Sequence, residues 1–269
     1  MTEKYSDPKY VLSQHVVRVI SNAVHISDVD KITGMFFLLS KSEQDNERWE
    51  DTFRCAADGN SVFFFAKRLD YDGEDRGCTV GIAGWTTANG GNDKHGDFIK
   101  LAARFKRMGG LDLRRESKGL TEKSNKVKKF ERLIQGLHGE YAERFVRAQF
   151  KELCSPKGYI YEAHKALCDA GIENPSPLAI AAVMDTVINQ GIGGKYCPID
   201  WIRDHPTEDE KVLLDGFLDW KRVAATKNHH NSPPSNGRER ADMFKKLLRA
   251  GQQDLSRAAC EEAVQWKMK

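Results

Sequence analysis

The sequence predicts a mostly helical α+β fold in which one small antiparallel sheet borders a cleft between two helical lobes. Three observations predict it. Apolar residues recur at three- and four-residue spacing over most of the chain, the period of an amphipathic helix. Two stretches near the front, "GNSVFFFAKRLDYDG" (59–73) and "GCTVGIAGWTT" (77–87), instead alternate β-branched or aromatic residues between glycines, as strands do. No internal repeat is visible, so the helices belong to lobes and not to a stacked array.

Taken in order, "HVVRVISNAV" (15–24) and "KITGMFFLLSKS" (31–42) read as two helices, the second strongly apolar and ending close to Glu43. "QDNERWEDTFRCA" (44–56) continues as an amphipathic helix, with Trp49 and Phe53 on one face. The two strand candidates follow and pair antiparallel. Beyond Asp97 the helical period returns. It runs through "DFIKLAARFKRM" (97–108), one or two helices in 125–154, "GYIYEAHKALCDAG" (158–171) and "PSPLAIAAVMDTVINQG" (175–191). Segments 208–226 and 237–266 complete a series of roughly nine helices.

Composition bounds the function. At 40% hydrophobic and 30% charged, with 13 Phe and 5 Trp, the 269-residue chain can build a substantial core, which excludes disorder. No apolar run approaches the ~20 residues of a membrane span. The start, "MTEKYSDPKYVLSQ", lacks the apolar centre of a secretory signal. The expectation is synthesis in the cytoplasm and action in the periplasm or outside the cell after a non-classical delivery, with a delivery or immunity protein as a partner. None of the six cysteines forms a CxxC pair, so they read as reduced, buried thiols. His229 and His230 lie in a loop-like tract without a third ligand at a recognisable spacing, and no metal or other cofactor is expected.

The net charge of +3 is small, yet residues 104–129 hold ten Lys/Arg against three acids. That tract reads either as a solvated helix face or as a surface for an anionic polymer. Its few aromatics argue against stacking on nucleic acid bases.

Four acids, Asp70, Asp72, Glu74 and Asp75, crowd in front of the second strand candidate, followed by Arg76. Glycoside hydrolysis uses two carboxyl groups, one kept protonated for the leaving oxygen and one ionised to act on water. They need different environments. Glu43, at the end of an apolar helix, and the acidic turn at 72–75 are that kind of pair.

At these residues the chain resembles a known family. "LLSKSEQDNERWEDTF" followed by "DGEDRGCTVGIAGW" is similar to the front half of the family 46 glycoside hydrolases, the chitosanases of the lysozyme-like superfamily. The resemblance runs from about residue 33 to 256, which leaves 1–32 as an N-terminal helical extension and 33–269 as a lysozyme-like catalytic domain with two lobes and one cleft.

It implies an inverting hydrolase with Glu43 as general acid and Glu74, or Asp75 beside it, as the base. Thr79 would hold the attacking water, and Arg76 would keep a neighbouring carboxylate ionised. Asp97 would bind an amino sugar. Asp185 would sit in a buried charge network with Lys221 or Arg222 and with Arg238 or Arg240. Trp85 reads as core or cleft wall.

The basic tract and the missing signal favour bacterial peptidoglycan as substrate, and so muramidase-like action by an antibacterial effector or lysin, with chitosan as the alternative. The reading from another class is a non-catalytic glycan- or nucleic-acid-binding protein on the same scaffold.

Overall fold

The computed structural model describes residues 14–44, 62–64, 66–68, 77–87, 96–118, 120, 126–191, 196–227 and 234–265. Its elements in order are helices α1 (Gln14–Val24) and α2 (Val29–Gln44), a 3-10 turn at Val62–Phe64 where the first strand candidate predicts extended backbone, then strands β1 (Ala66–Arg68), β2 (Cys78–Val80) and β3 (Trp85–Thr86). Helices α3 (Phe98–Arg107), α4 (Leu113–Ser117), α5 (Val127–Gln135), α6 (Gly139–Leu153) and α7 (Tyr159–Asp169) follow. The chain ends with α8 (Pro177–Gln190), α9 (Pro198–Arg203), α10 (Glu210–Lys227), α11 (Pro234–Arg249) and α12 (Arg257–Gln265). The fold is mostly helical with one small antiparallel sheet, as the sequence predicts. The stretch 125–154 forms two helices, α5 and α6, while α4 and α9 are too short to show a clear period. Beyond Gln44, which ends α2, the expected helix at 44–56 lies outside the described residues.

The chain divides into two compact units, Met1–Val16 with Glu43–Glu152, and Val17–Ser42 with Leu153–Lys269.

The first unit carries the sheet, in the order β1-β2-β3. Here the second strand candidate differs from its sequence reading. It is not one strand but a hairpin, β2 turning into β3 through Gly81–Gly84, with Thr79 opposite Thr86 and Val80 opposite Trp85. The reason is local: Gly81 and Gly84 both adopt positive φ, 72° and 63°, which side chains disfavour. β1 pairs on the other side of β2, with Lys67 opposite Thr79. The core is aromatic. Phe63 packs on Phe150, Phe64 and Phe105 on Phe145, and Phe98 on Phe130, with ring centroids 5.2–6.1 Å apart.

A glutamine buried in this apolar setting holds the hairpin. Gln149 of α6 is fully buried; its Oε1 accepts from Ile82 N at 3.0 Å and its Nε2 donates to Phe63 O at 2.8 Å. It satisfies two main-chain groups that no ladder reaches. Gln149→Leu should therefore strand both and lower unfolding free energy by about 2–4 kcal/mol, read by urea denaturation. An unchanged midpoint would mean that neither bond matters.

The second unit is built around α8. All residues from Pro177 to Val187 are buried, so this largely apolar helix is enclosed on every side. Pro177 at its first position and Ser176, whose hydroxyl accepts from Ala179 N at 3.2 Å, start it. Gly191 at φ 85° ends it. Helices α7, α9, α10 and α11 pack around it. In α2, the Asp28 carboxylate caps the first turn through Asp30 N at 2.8 Å, and the stretch from Ile32 to Leu39 is buried. Gly34 lies in that stretch because a Cβ would stand 2.7 Å from the Leu255 carbonyl.

The described cysteines, Cys78, Cys154, Cys168, Cys197 and Cys260, are free thiols. Burial, with Glu261 beside it, pushes the Cys260 thiol up to about 12, so it stays protonated and acts as a small apolar filler.

Candidate functional site

Glu43 falls in the last turn of α2, directly after the buried apolar stretch that singles it out, and its side chain lies outside the described residues. So do Trp49, Asp72, Glu74, Asp75 and Arg76. Thr79, Asp97 and the charge network around Asp185 are described, the first two in one unit and the network in the other.

Thr79 is the middle residue of β2. Its neighbours Cys78 and Val80 point into the core, and it faces the opposite side of the sheet. The Thr79 hydroxyl is nevertheless buried, and among the described residues no hydrogen-bond partner reaches it. An unsatisfied buried hydroxyl costs about 1–3 kcal/mol. Such a group is suited to a water or substrate oxygen brought in from outside.

Asp97 meets the same strand pair. Its Oδ1 accepts from Thr86 N at 2.7 Å and lies 3.4 Å from Thr86 Oγ1, and Thr86 is the residue opposite Thr79. Although Asp97 precedes α3, it makes no side-chain cap there. Its carboxylate holds β3 in place instead. Gly96, just before it, lies so close to the Thr86 carbonyl that any side chain would collide with it. Trp85 is 3% exposed and belongs to the core. Thr87 closes the hairpin: its Oγ1 accepts from Cys78 N at 2.9 Å and donates to Leu120 O at 3.3 Å.

In the second unit, Asp185 is the only charged residue of α8 and is fully buried. The structure resolves the two open pairings. Lys221 Nζ donates to Asp185 Oδ2 at 2.5 Å, and Arg240 Nη1 to Oδ1 at 3.3 Å. Arg222, one residue on, faces outward to Asp242 at 3.1 Å, and Arg238 is exposed. Periodicity explains the choice. Lys221 follows Phe217 by four residues and Arg240 precedes Phe244 by four, both phenylalanines being fully buried. Lys221 Nζ also lies 5.5 Å from the centre of the Phe244 ring. A second layer, not read from the sequence, joins the same helices: Lys245 Nζ reaches Asp215 at 3.0 Å and Asp219 at 2.7 Å. The i, i+4 spacing of those two aspartates was its sequence signal.

The basic tract is partly neutralised inside its own unit. Arg104 pairs with Glu152 at 2.6 Å, and Lys106 and Arg114 both reach Asp112. Lys106 is the main cause that holds the Asp112 carboxyl below its usual range. Arg107, Arg115, Lys118, Lys128 and Lys129 remain exposed. Among the described residues no helix is long and apolar enough to cross a membrane, and no group of three His, Cys, Asp or Glu could hold a metal ion.

The arrangement of helices and sheet is that of the family 46 chitosanases among the glycoside hydrolases. The chain is similar in structure to a family 46 chitosanase of Gynuella sunshinyii solved in complex with chitotetraose, with a TM-score of 0.54 and 20% identity over 86% of this chain and 93% of that one. The likeness is one of fold. No family model matches the chain, and no curated protein matches it in sequence.

Proposed function

We propose that this chain is an endo-acting glycoside hydrolase that cleaves β-1,4 linkages of an amino-sugar polymer with inversion. The observation that carries this reading is the fold shared along nearly the whole length of a chitosanase. Glu43 protonates the leaving oxygen, and Glu74 or Asp75 takes a proton from a water on the opposite face of the sugar. Thr79 holds that water through its unpartnered hydroxyl, and Arg76 keeps the base ionised.

Two polymers fit the reading. The exposed cations Arg107, Arg115, Lys118, Lys128 and Lys129 favour an anionic polymer, peptidoglycan. The chitotetraose bound by the structural neighbour favours chitosan. The test assays both side by side, reducing ends released from chitosan and clearing of cell-wall suspensions, with proton NMR of the first product. An α-anomer is expected from a β-linked polymer. A β-anomer would reject inversion, and no cleavage of either polymer would leave the non-catalytic glycan- or nucleic-acid-binding reading.

Thr79→Val separates function from structure. Valine keeps the shape and removes a hydroxyl that bonds nothing, so stability should hold or rise by up to about 1–3 kcal/mol. Turnover should fall by roughly 10-fold, a single water-positioning hydrogen bond being worth about 1–1.5 kcal/mol. Loss of stability with full turnover would remove Thr79 from the mechanism.

A further inference from the structure

Helix α10 leaves part of its outer face apolar. Val212 and Val223 are 62% and 52% exposed, the two most exposed of the large hydrophobic residues described. Helical spacing puts Gly216 and Trp220 on the stripe between them, which runs for about 16 Å at 1.5 Å per residue. Over Gly216 lies the indole of Trp201 from α9, close enough that a Cβ there would stand 3.4 Å from the ring. His205 stacks on Trp201 with centroids 3.9 Å apart and planes within 13°, and Trp220 follows at 5.9 Å and 29°. Trp201 and Trp220 are half-buried, and His205 is exposed.

The Val212 end of this face is acidic, whereas Arg222, paired with Asp242, stands beside Val223 at the other end. Residues 197–219 contain seven acids against Arg203 and Lys211. Arg203 is drawn away to Asp169 at 3.2 Å. Among the described residues, Asp200, Asp204, Glu208 and Asp209 are exposed and form no ion pair, whereas Asp215 and Asp219 are matched by Lys245.

We propose that this face is a second binding surface, for a polycationic chain of β-linked glucosamine units. An exposed apolar stripe beside stacked aromatic rings, with carboxylates clustered at its Val212 end, complements a polymer whose rings present C–H faces and whose edges carry ammonium groups. An anionic wall polymer or a nucleic acid would be repelled there. The inference rests on the proposed function for the choice of an amino-sugar polymer, and it selects the cationic member of that class.

The test is retardation of the full chain, carrying Glu43→Gln to stop hydrolysis, in native gels containing soluble chitosan. Strong retardation that weakens with salt is expected. Val212→Ser with Val223→Ser should lower affinity by about 10-fold, each valine giving up part of its apolar burial. Trp220→Ala should do at least as much, with far-UV circular dichroism to confirm folding; the valine pair keeps the test decisive if Trp220→Ala unfolds. Asp200→Asn with Asp204→Asn should weaken binding and flatten its salt dependence.

Unchanged retardation in the valine variant, or in the aspartate variant, overturns the proposal. So does equal retardation by neutral hydroxyethyl cellulose, or polylysine binding as tightly as chitosan and lost in the same variants. A chain that binds chitosan through these residues yet, with Glu43 present, cleaves neither polymer sinks the hydrolase reading and keeps this surface. Cleavage of chitosan with retardation indifferent to these residues does the reverse.

Discussion

Asp185→Asn is expected to lower stability by about 3–5 kcal/mol, because it removes the buried carboxylate that Lys221 and Arg240 share. Both cations come from neighbouring helices, α10 and α11, and both converge on one carboxylate in the apolar centre of the unit. Lys221 and Asp185 are fully buried, so neither can turn to water when its partner is lost. The midpoint of thermal unfolding should fall by on the order of 10 °C, read through the fluorescence of Trp201 and Trp220 in the same unit. Replacing the set together by apolar residues (Asp185→Leu, Lys221→Met, Arg240→Met) should restore most of the loss, since the cost lies in an uncompensated charge. If the single variant melted with the parent, the network would be a passenger of the fold.

Glu43→Gln should lower turnover by about 10²–10⁴-fold, the usual contribution of a positioned general acid. The amide keeps the size of the side chain and removes the proton to be donated. Michaelis constants for the polymer should change little, because the donor acts on the leaving oxygen in the transition state. An aryl glycoside with a good leaving group needs no such proton and should be hydrolysed nearly as well by the variant as by the parent. Equal release of reducing ends from the polymer by both proteins would remove Glu43 from the acid role. A loss that persisted with the activated substrate would assign Glu43 to binding or folding instead.

Lys221 and Arg240 show how far sequence reading reaches. The apolar run in 175–191 with one aspartate announces a buried charge in need of cations, and two neighbouring basic pairs, at 221–222 and 238–240, stand ready for it. Which member of each pair turns inward depends on the phase of α10 and α11 around their axes, and packing sets that phase. Gln149 is harder to read. It occupies an inward position of α6 among Phe145, Val146 and Phe150, where a polar residue signals a hydrogen-bonding duty. Its partners, Ile82 N and Phe63 O, lie 67 and 86 residues away, so only the folded chain names them.

The sequence by itself determined the helical class, the small front sheet, and the set of acids and hydroxyls from which a hydrolytic site could be drawn. These follow from local periodicity and residue chemistry, which need no distant partner. Tertiary structure decided that 77–87 folds back as a hairpin, that Asp97 secures Thr86, that the Thr79 hydroxyl is enclosed without a partner among the described residues, and that Trp201 lies over Gly216. Each of these depends on groups brought together from far along the chain, where burial and close approach, and not residue type, set the outcome.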